Sequence, residues 1–281
     1  MQILDGKSLA NNIELEISKE VEELNKSGIT PGLAVILVGN NPASQSYVSM
    51  KAKACKRTGI YSTTHEMPES IPQESLLQTI HLLNQNPNID GILVQLPLPK
   101  HIDTTAVLEA IAPQKDVDGF QPYNMGRVLA NLDSFIPATP LGVITLLKHY
   151  NIELKGKNVV IVGASNIVGK PLASLFLNEF ATITLCHIYT KDLAKHTKEA
   201  DIVCVAVGKP NLITKDMVKD GAIIVDIGIS KVDDKIVGDV DFEGVSKKCD
   251  FITPVPGGVG PMTIASLLQN TIKAAKMRLT K

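Results

Sequence analysis

Ser44, Tyr47 and Lys51 are spaced three and four residues apart, which puts them on one face of a helix. They follow an apolar run, Leu33 to Val38, that ends at Gly39-Asn40-Asn41-Pro42. The helix therefore opens beyond the carboxyl end of a buried strand, where α/β proteins form ligand sites. A tyrosine there offers an aromatic plane with a polar handle. A lysine stripped of water can lose its proton near neutral pH and act as acid or base. The spacing fits a core tyrosine beside a solvated lysine equally well. Lys53, Lys56 and Arg57 read as solvated. Gln95 closes a second apolar run, Gly91 to Val94, just before Leu96-Pro-Leu-Pro99. A polar side chain there either orients a catalytic neighbour or caps the strand. Lys115-Asp-Val-Asp-Gly-Phe120 sets Asp116 and Asp118 in a loop, and turn chemistry before Gly119 is the stronger reading for Asp116.

A different chemistry is written in Val159-Val-Ile-Val-Gly-Ala-Ser-Asn-Ile-Val-Gly169. Strand, glycine turn and helix in that order let backbone N–H groups approach a pyrophosphate and aim a helix N-terminus at its charge. The spacing is Gly163-x-Ser165-x-x-x-Gly169, one residue longer than the usual fingerprint and with Ser165 at the middle glycine. A tight turn without ligand also fits. The acidic residue that would hold an adenosine ribose about 20 positions on is missing, and the chain reads Cys186-His-Ile-Tyr-Thr190 there.

These residues need elements to hold them. Leu9, Ile13, Ile17, Val21 and Leu24 predict an amphipathic helix from Lys7 to Lys26, ended near Gly28 and Pro31. Strands are expected at Leu33–Val38 and Asp90–Leu96, and helices at about Ala43–Thr58 and Ile71–Asn84. Pro113 to Pro140 reads as loop, and Gly142–Tyr150 as helix. A second series has strands at Asn158–Val162, Thr182–Cys186, Ile202–Val207 and Ala222–Ile227, with a helix at Pro171–Asn178 after the first. A last helix, about Thr263–Arg278, is expected to pack back on the first domain. The alternation implies parallel βαβ units. The expected fold class is α/β with two domains: 1–140 completed by about 263–281, and a Rossmann-like 141–262, with a cleft between them.

With 281 residues, 44% hydrophobic and 20% charged, the chain has the composition of a two-domain globular protein. A formal net charge of −1 and the absence of tryptophan argue against a nucleic-acid partner. No apolar run approaches the roughly 20 residues of a membrane span. The N-terminus lacks a signal-peptide pattern. Four dispersed cysteines, with no C-x-x-C pair, read as reduced thiols of a cytoplasmic protein. No cluster has metal-ligand spacing and no nucleophile-elbow motif occurs, so no metal site is expected.

In combination these segments resemble the bifunctional methylenetetrahydrofolate dehydrogenase/methenyltetrahydrofolate cyclohydrolase family. The likeness is carried by Ser44 to Lys53, Gly91 to Pro99, Lys115 to Phe120 and, most specifically, Phe251-Ile-Thr-Pro-Val-Pro-Gly-Gly-Val-Gly-Pro-Met-Thr263. Phe135 to Pro140 and the Gly163 loop add to it, in order along the whole chain. The resemblance implies Lys51 as the catalytic lysine, Gln95 as the residue that orients it, and Tyr47 as the ring packed on the folate. It implies Asp118 as the carboxylate on the pterin. Ser44, Val94, Leu96 and the loop Pro256, Gly257, Gly258, Val259 and Gly260 would also meet the substrate. Gly163, Ala164, Ser165, Ile188 and Ile229 would meet the cofactor. The implied reaction takes 5,10-methylenetetrahydrofolate to the methenyl form with NADP, then hydrolyses it to 10-formyltetrahydrofolate. A homodimer is implied as well.

One departure concerns the cofactor. Many family members carry Arg where this chain has Ala164 and Ser where it has Ile188, both toward the NADP 2′-phosphate. NAD therefore stays open, with Lys191 or His187 as stand-in cations. A dehydrogenase-only member is one rival. A generic two-domain NAD(P) dehydrogenase is another, but it would want a His–carboxylate pair where this chain clusters Tyr, Lys, Gln and Asp. A folate-binding pseudoenzyme would require the loss of Lys51 or Gln95, and both are present.

Overall fold

The 3–4 apolar periodicity near the N-terminus forms the helix Gly6–Lys26, which buries Leu9, Ile13, Ile17, Val21 and Leu24. The computed structural model describes residues 1–233 and 235–280, so the final residue of the expected C-terminal segment lies outside them. Its strands are β1 (Gln2–Ile3), β2 (Gly32–Val38), β3 (Tyr61–Met67), β4 (Gly91–Val94), β5 (Asn158–Val162), β6 (Thr182–Cys186), β7 (Ile202–Val205), β8 (Ile223–Asp226), β9 (Ser230–Val232), β10 (Lys235–Val237) and β11 (Phe251–Ile252). Contacts divide the chain into two compact units. One comprises Asn11–Arg127, Asp133–Ala138 and Ile264–Lys281; the other comprises Met1–Ala10, Val128–Leu132 and Thr139–Thr263.

The first unit holds a parallel three-stranded sheet of order β3-β2-β4. All seven residues of β2 are buried, as its unbroken apolar run requires for a strand covered on both faces. The β3 strand has no such run. Its residues, Tyr-Ser-Thr-Thr-His-Glu-Met, are half-buried or exposed, and an edge strand with one open side needs no apolar signal.

The second unit holds a six-stranded sheet of order β1-β11-β8-β7-β5-β6, parallel at every pairing. The chain winds from β5 outward to β6, then crosses back past β5 to β7. The carboxyl ends of β5 and β7 are thus the switch point where α/β sheets take ligands. The β9–β10 pair is a separate antiparallel hairpin.

Two expectations need correction. Pro113 to Pro140 is not loop throughout: it contains a 3-10 turn at Pro113–Lys115 and the helix Pro122–Leu129, and the helix Ala138–His149 begins within it. Pro113, Pro122 and Pro140 sit in first turns, where no intrahelical N–H is required, and Pro137 directly precedes the last of these helices. The C-terminal helix starts at Val259, four residues early, and ends at Lys276 before a 3-10 turn. Strands β4, β7 and β8 are also shorter than their apolar runs.

Candidate active site

In the three-stranded unit the helix Pro42–Thr58 starts where Asn41 turns its side chain onto the free N–H groups of Ala43 and Ser44, at 3.0 and 3.1 Å. It stops at Gly59, whose φ of 79° is left-handed and open to glycine. Ser44, Val48, Lys51 and Cys55 lie on its buried face. Tyr47 is half-buried, and desolvation pushes its hydroxyl above the usual phenol range. The open choice about Lys51 is resolved by burial: only 7% of it is exposed.

Lys51 Nζ donates to Gln95 Oε1 at 2.9 Å, across 44 residues of sequence. Gln95 is held in turn. Its amide donates to the Leu96 carbonyl at 2.9 Å, and its backbone N–H bonds to Ile36 O, extending the β2–β4 ladder one residue past Val94. The same register aligns the Asp-rich loop: Asp116 bridges to Ile92 on β4, and Val117 packs where a side chain at Gly91 would stand. Asn270 of the C-terminal helix donates to the carbonyls of Val117 and Ile136, at 2.8 and 2.9 Å.

The two aspartates of that loop have separate roles. Asp116 is buried and accepts from the N–H groups of Gly119, Phe120 and Gln121 and from the Asn124 amide. It builds the turn. Asp118 is pushed up to about 6 by burial, with the nearby Lys51 pulling the other way and Asp116 adding to the rise. Burial lowers Lys51, and the charge of Asp118 opposes that. Opposed shifts of this kind, an ammonium moved down and a carboxyl moved up by burial, mark a candidate site for acid–base chemistry. Cys55, one turn on, is pushed up to about 11 by burial and stays a thiol.

The glycine turn lies in the six-stranded unit. Gly163 has φ 115°, and a Cβ there would stand 2.3 Å from the Ala206 carbonyl at the end of β7. A Cβ on Gly169 would stand 1.8 Å from Gly163 O. Only glycine admits this crossing of the β5 turn, the following helix and the β7 end. The helix starts at Gly169 rather than Pro171. Ser165, at the middle-glycine position, accepts the Val168 N–H through Oγ at 3.1 Å. Ala164 is partly exposed, and Ile188, His187 and Lys191 are exposed beyond β6, with Ile188 at 90%. Ile229 follows β8 and is exposed.

The expected substrate residues are drawn from both units. Ser44, Tyr47, Lys51, Val94, Gln95, Leu96 and Asp118 belong to the three-stranded unit, and Pro256 to Gly260 to the six-stranded one. In the latter segment Val259 and Gly260 form the first turn of a helix, and Gly257 O accepts from Lys7 N at 2.9 Å. Sequence reading passed over two buried aspartates of the same unit, Asp226 and Asp239. Their signal was an aspartate ending an apolar strand and another set in Gly-Asp-Val-Asp.

Among the described residues no group of three His, Cys, Asp or Glu is spaced to hold a metal ion. No described helix is long and apolar enough to cross a membrane.

Fold and site define a class: an α/β protein with a dinucleotide-type turn in one unit and a buried, desolvated lysine in the other. Comparison narrows it. The catalytic-domain model of tetrahydrofolate dehydrogenase/cyclohydrolase matches residues 4–118, and the NAD(P)-binding-domain model of the same enzymes matches 137–279. The Bifunctional protein FolD of Nitratiruptor sp. is 70% identical over 99% of both chains. The crystal structure of the bifunctional FolD dehydrogenase/cyclohydrolase from Campylobacter jejuni superposes with a TM-score of 0.98 at 55% identity, covering 99% of each chain. The Trypanosoma brucei dehydrogenase-cyclohydrolase, complexed with NADP cofactor and inhibitor, gives 0.97 at 38% identity, covering 100% of this chain and 99% of that one. The chain belongs to the tetrahydrofolate dehydrogenase/cyclohydrolase family. It is a bifunctional oxidoreductase and hydrolase of folate one-carbon chemistry with an NAD(P)-binding domain.

Proposed function

We propose that Lys51 is the acid–base group of this enzyme, with Gln95 orienting it, Tyr47 packing on the folate and Asp118 binding the pterin. The observation that carries the reading is the part-buried hydrogen bond from the buried Lys51 to Gln95 at the end of β4, with Asp118 as the countercharge. The oxidation moves a hydride from the one-carbon bridge of 5,10-methylenetetrahydrofolate to the nicotinamide, leaving the methenyl cation. Water then adds to that carbon, the bond to the ring nitrogen N5 breaks, and 10-formyltetrahydrofolate and a proton result. Hydride transfer needs two rings held face to face, which is positioning. Hydrolysis needs a base for the water and a proton for N5, which a lysine of lowered pKa supplies.

The bound dinucleotide supplies the hydride acceptor. The Gly163 turn would hold its pyrophosphate on backbone N–H groups, with Ser165 fixing the turn and Ala164, Ile188 and Ile229 assigned to the rest of the cofactor. The cofactor proposed is NADP, as in the Trypanosoma brucei complex, with weaker exclusion of NAD because Ala164 and Ile188 offer the 2′-phosphate neither cation nor hydroxyl. Val94, Leu96, Ser44 and Pro256 to Gly260 are assigned to the substrate. In domain terms, the folate chemistry is assigned to 1–140 with the C-terminal helix and the dinucleotide to 141–262, except that residues 1–10 and 128–132 group with the latter by contacts. A homodimer is proposed, with the uncovered β3 edge available for a second copy. Four buried free thiols suit the cytoplasm.

The test is a two-signal assay started from methylenetetrahydrofolate, following reduced cofactor and methenyl absorbance together. Reduced cofactor with only transient methenyl signal is expected. Methenyl compound that accumulates and decays no faster than without enzyme overturns the hydrolase half.

A further inference from the structure

Asp226 ends β8, and its carboxylate is almost fully enclosed by backbone. Oδ1 accepts from Gly228 N at 3.1 Å and Asp239 N at 3.0 Å, and Oδ2 from Val240 N at 2.9 Å. Asp239, fully buried, turns its own Oδ2 to the N–H groups of Val207 and Gly208, at 2.7 and 3.0 Å. The two side chains thus form one relay. Asp226 ties the turn after β8 to the segment carrying Asp239, and Asp239 ties that segment to the loop after β7. Glycines make room for it. A Cβ on Gly228 would stand 2.1 Å from Asp239 Cγ, and one on Gly238 would stand 1.9 Å from Asp226 Oδ2.

The relay ends at the switch point of the sheet. Val207 and Ala206 are the residues that a side chain at Gly163 would strike, so the loop gripped by Asp239 is the one packed on the glycine turn. Ile229 directly follows the gripped Gly228. Asp239 Oδ1 has no hydrogen-bond partner among the described residues. A buried carboxylate oxygen left bare is costly, and Asp226 beside it is already pushed up to about 6, chiefly by burial. An arrangement serving stability alone would gain by neutralising this pair.

We infer that Asp239, seated on Asp226, is a positioning residue for the dinucleotide, fixing the backbone loops after β7 and β8 against the Gly163 turn. This rests on the dinucleotide reading proposed above. The required property is acceptor geometry: one oxygen on two N–H groups. An amide oxygen meets it as well as a carboxylate.

The experiment measures KM for NADP and for NAD in the dehydrogenase direction, and methenyltetrahydrofolate hydrolysis without dinucleotide. Asp239→Ala is expected to raise both dinucleotide KM values about tenfold or more, the effect of two lost hydrogen bonds. Hydrolysis stays within about twofold, and Asp239→Asn recovers most of the affinity. Unchanged dinucleotide KM in Asp239→Ala, or equal loss of both activities in a folded protein, overturns the inference. If Asp239→Ala does not fold, Gly228→Ala decides, since its methyl group displaces the same carboxylate. A raised dinucleotide KM with hydrolysis kept supports the inference, and unaltered kinetics overturns it. Absence of any dinucleotide-dependent oxidation by the unsubstituted protein would instead refute the underlying cofactor reading.

Discussion

The three-stranded unit works with side chains and the six-stranded unit with backbone. In the first, Lys51, Gln95 and Asp118 project from a helix face, a strand end and a loop, with Lys51 bonded to Gln95 and the loop anchored through Asp116 and Val117. In the second, the Gly163 turn, the loop after β7 and the turn after β8 present mainly peptide groups, held by glycine contacts and buried carboxylates. A side-chain site fails when a functional group is lost and the fold survives. A backbone site fails when a methyl group is added. The two units should therefore be separable by substitution, each kind silencing one activity.

The largest effect is expected from Lys51→Met. Removing one acid–base group costs about 10²–10⁴-fold in methenyl hydrolysis, while thermal stability should not fall, because a buried ammonium with a lowered pKa is replaced by an apolar chain. Hydrolysis within a few-fold of the unsubstituted enzyme would remove Lys51 from the mechanism. Gly163→Ala is the counterpart in the other unit. Its methyl group meets the Ala206 carbonyl at a φ that L-residues avoid, a strain of about 1–3 kcal/mol, or roughly 5- to 150-fold in dinucleotide KM. Hydrolysis should persist. If both activities fall together, the two units are not functionally distinct in this way.

Ala164→Arg sharpens the comparison, since it adds a side chain where the site relies on backbone. An exposed charge-assisted bond to a 2′-phosphate should raise kcat/KM for NADP about tenfold and leave NAD nearly unchanged. The ratio of the two kcat/KM values before and after is the measurement. A starting preference for NADP above about a thousandfold (about 4 kcal/mol) would show that another residue reads the phosphate.

The smallest effect is a pH slope. The Asp118 carboxyl titrates at about 6 in the folded protein against 3.8 ordinarily, so its contribution to stability is full below 3.8 and lost as pH rises through about 6. Asp118→Asn should flatten that part of the stability curve in denaturant titrations between those pH values. Asp226, which titrates in the same window, leaves a residual slope. An unchanged curve would mean that Asp118 is not desolvated.

Much of this was legible in sequence because the signals were local. The 3–4 spacing of Ser44, Tyr47 and Lys51, the apolar runs of β2 and β5, and the glycine turn each lie within a few residues. What could not be read was set by partners far along the chain. Whether Lys51 was buried depended on Gln95 and on the Asp116 loop, and no spacing on its own helix could decide that. The β3 strand lacked an apolar run because one of its edges is free. The prolines of the 113–140 stretch look alike whether they break helices or begin them. Asp239 sits in a visible Gly-Asp-Val-Asp string, but its partners are two N–H groups 32 and 31 residues earlier, which no local pattern names.

The N-terminal strand β1 pairs with β11, so residues 2–3 and 251–252 are neighbours in one sheet. The helices Gly6–Lys26 and Val259–Lys276 each change unit partway along. The polypeptide thus re-enters both units, and neither is a continuous cassette. A gene fusion or recombination between relatives with one crossover near residue 140 would graft a dinucleotide unit lacking its own first strand. Exchanging cofactor preference by chimera requires transplanting the opening ten residues together with the stretch up to residue 263.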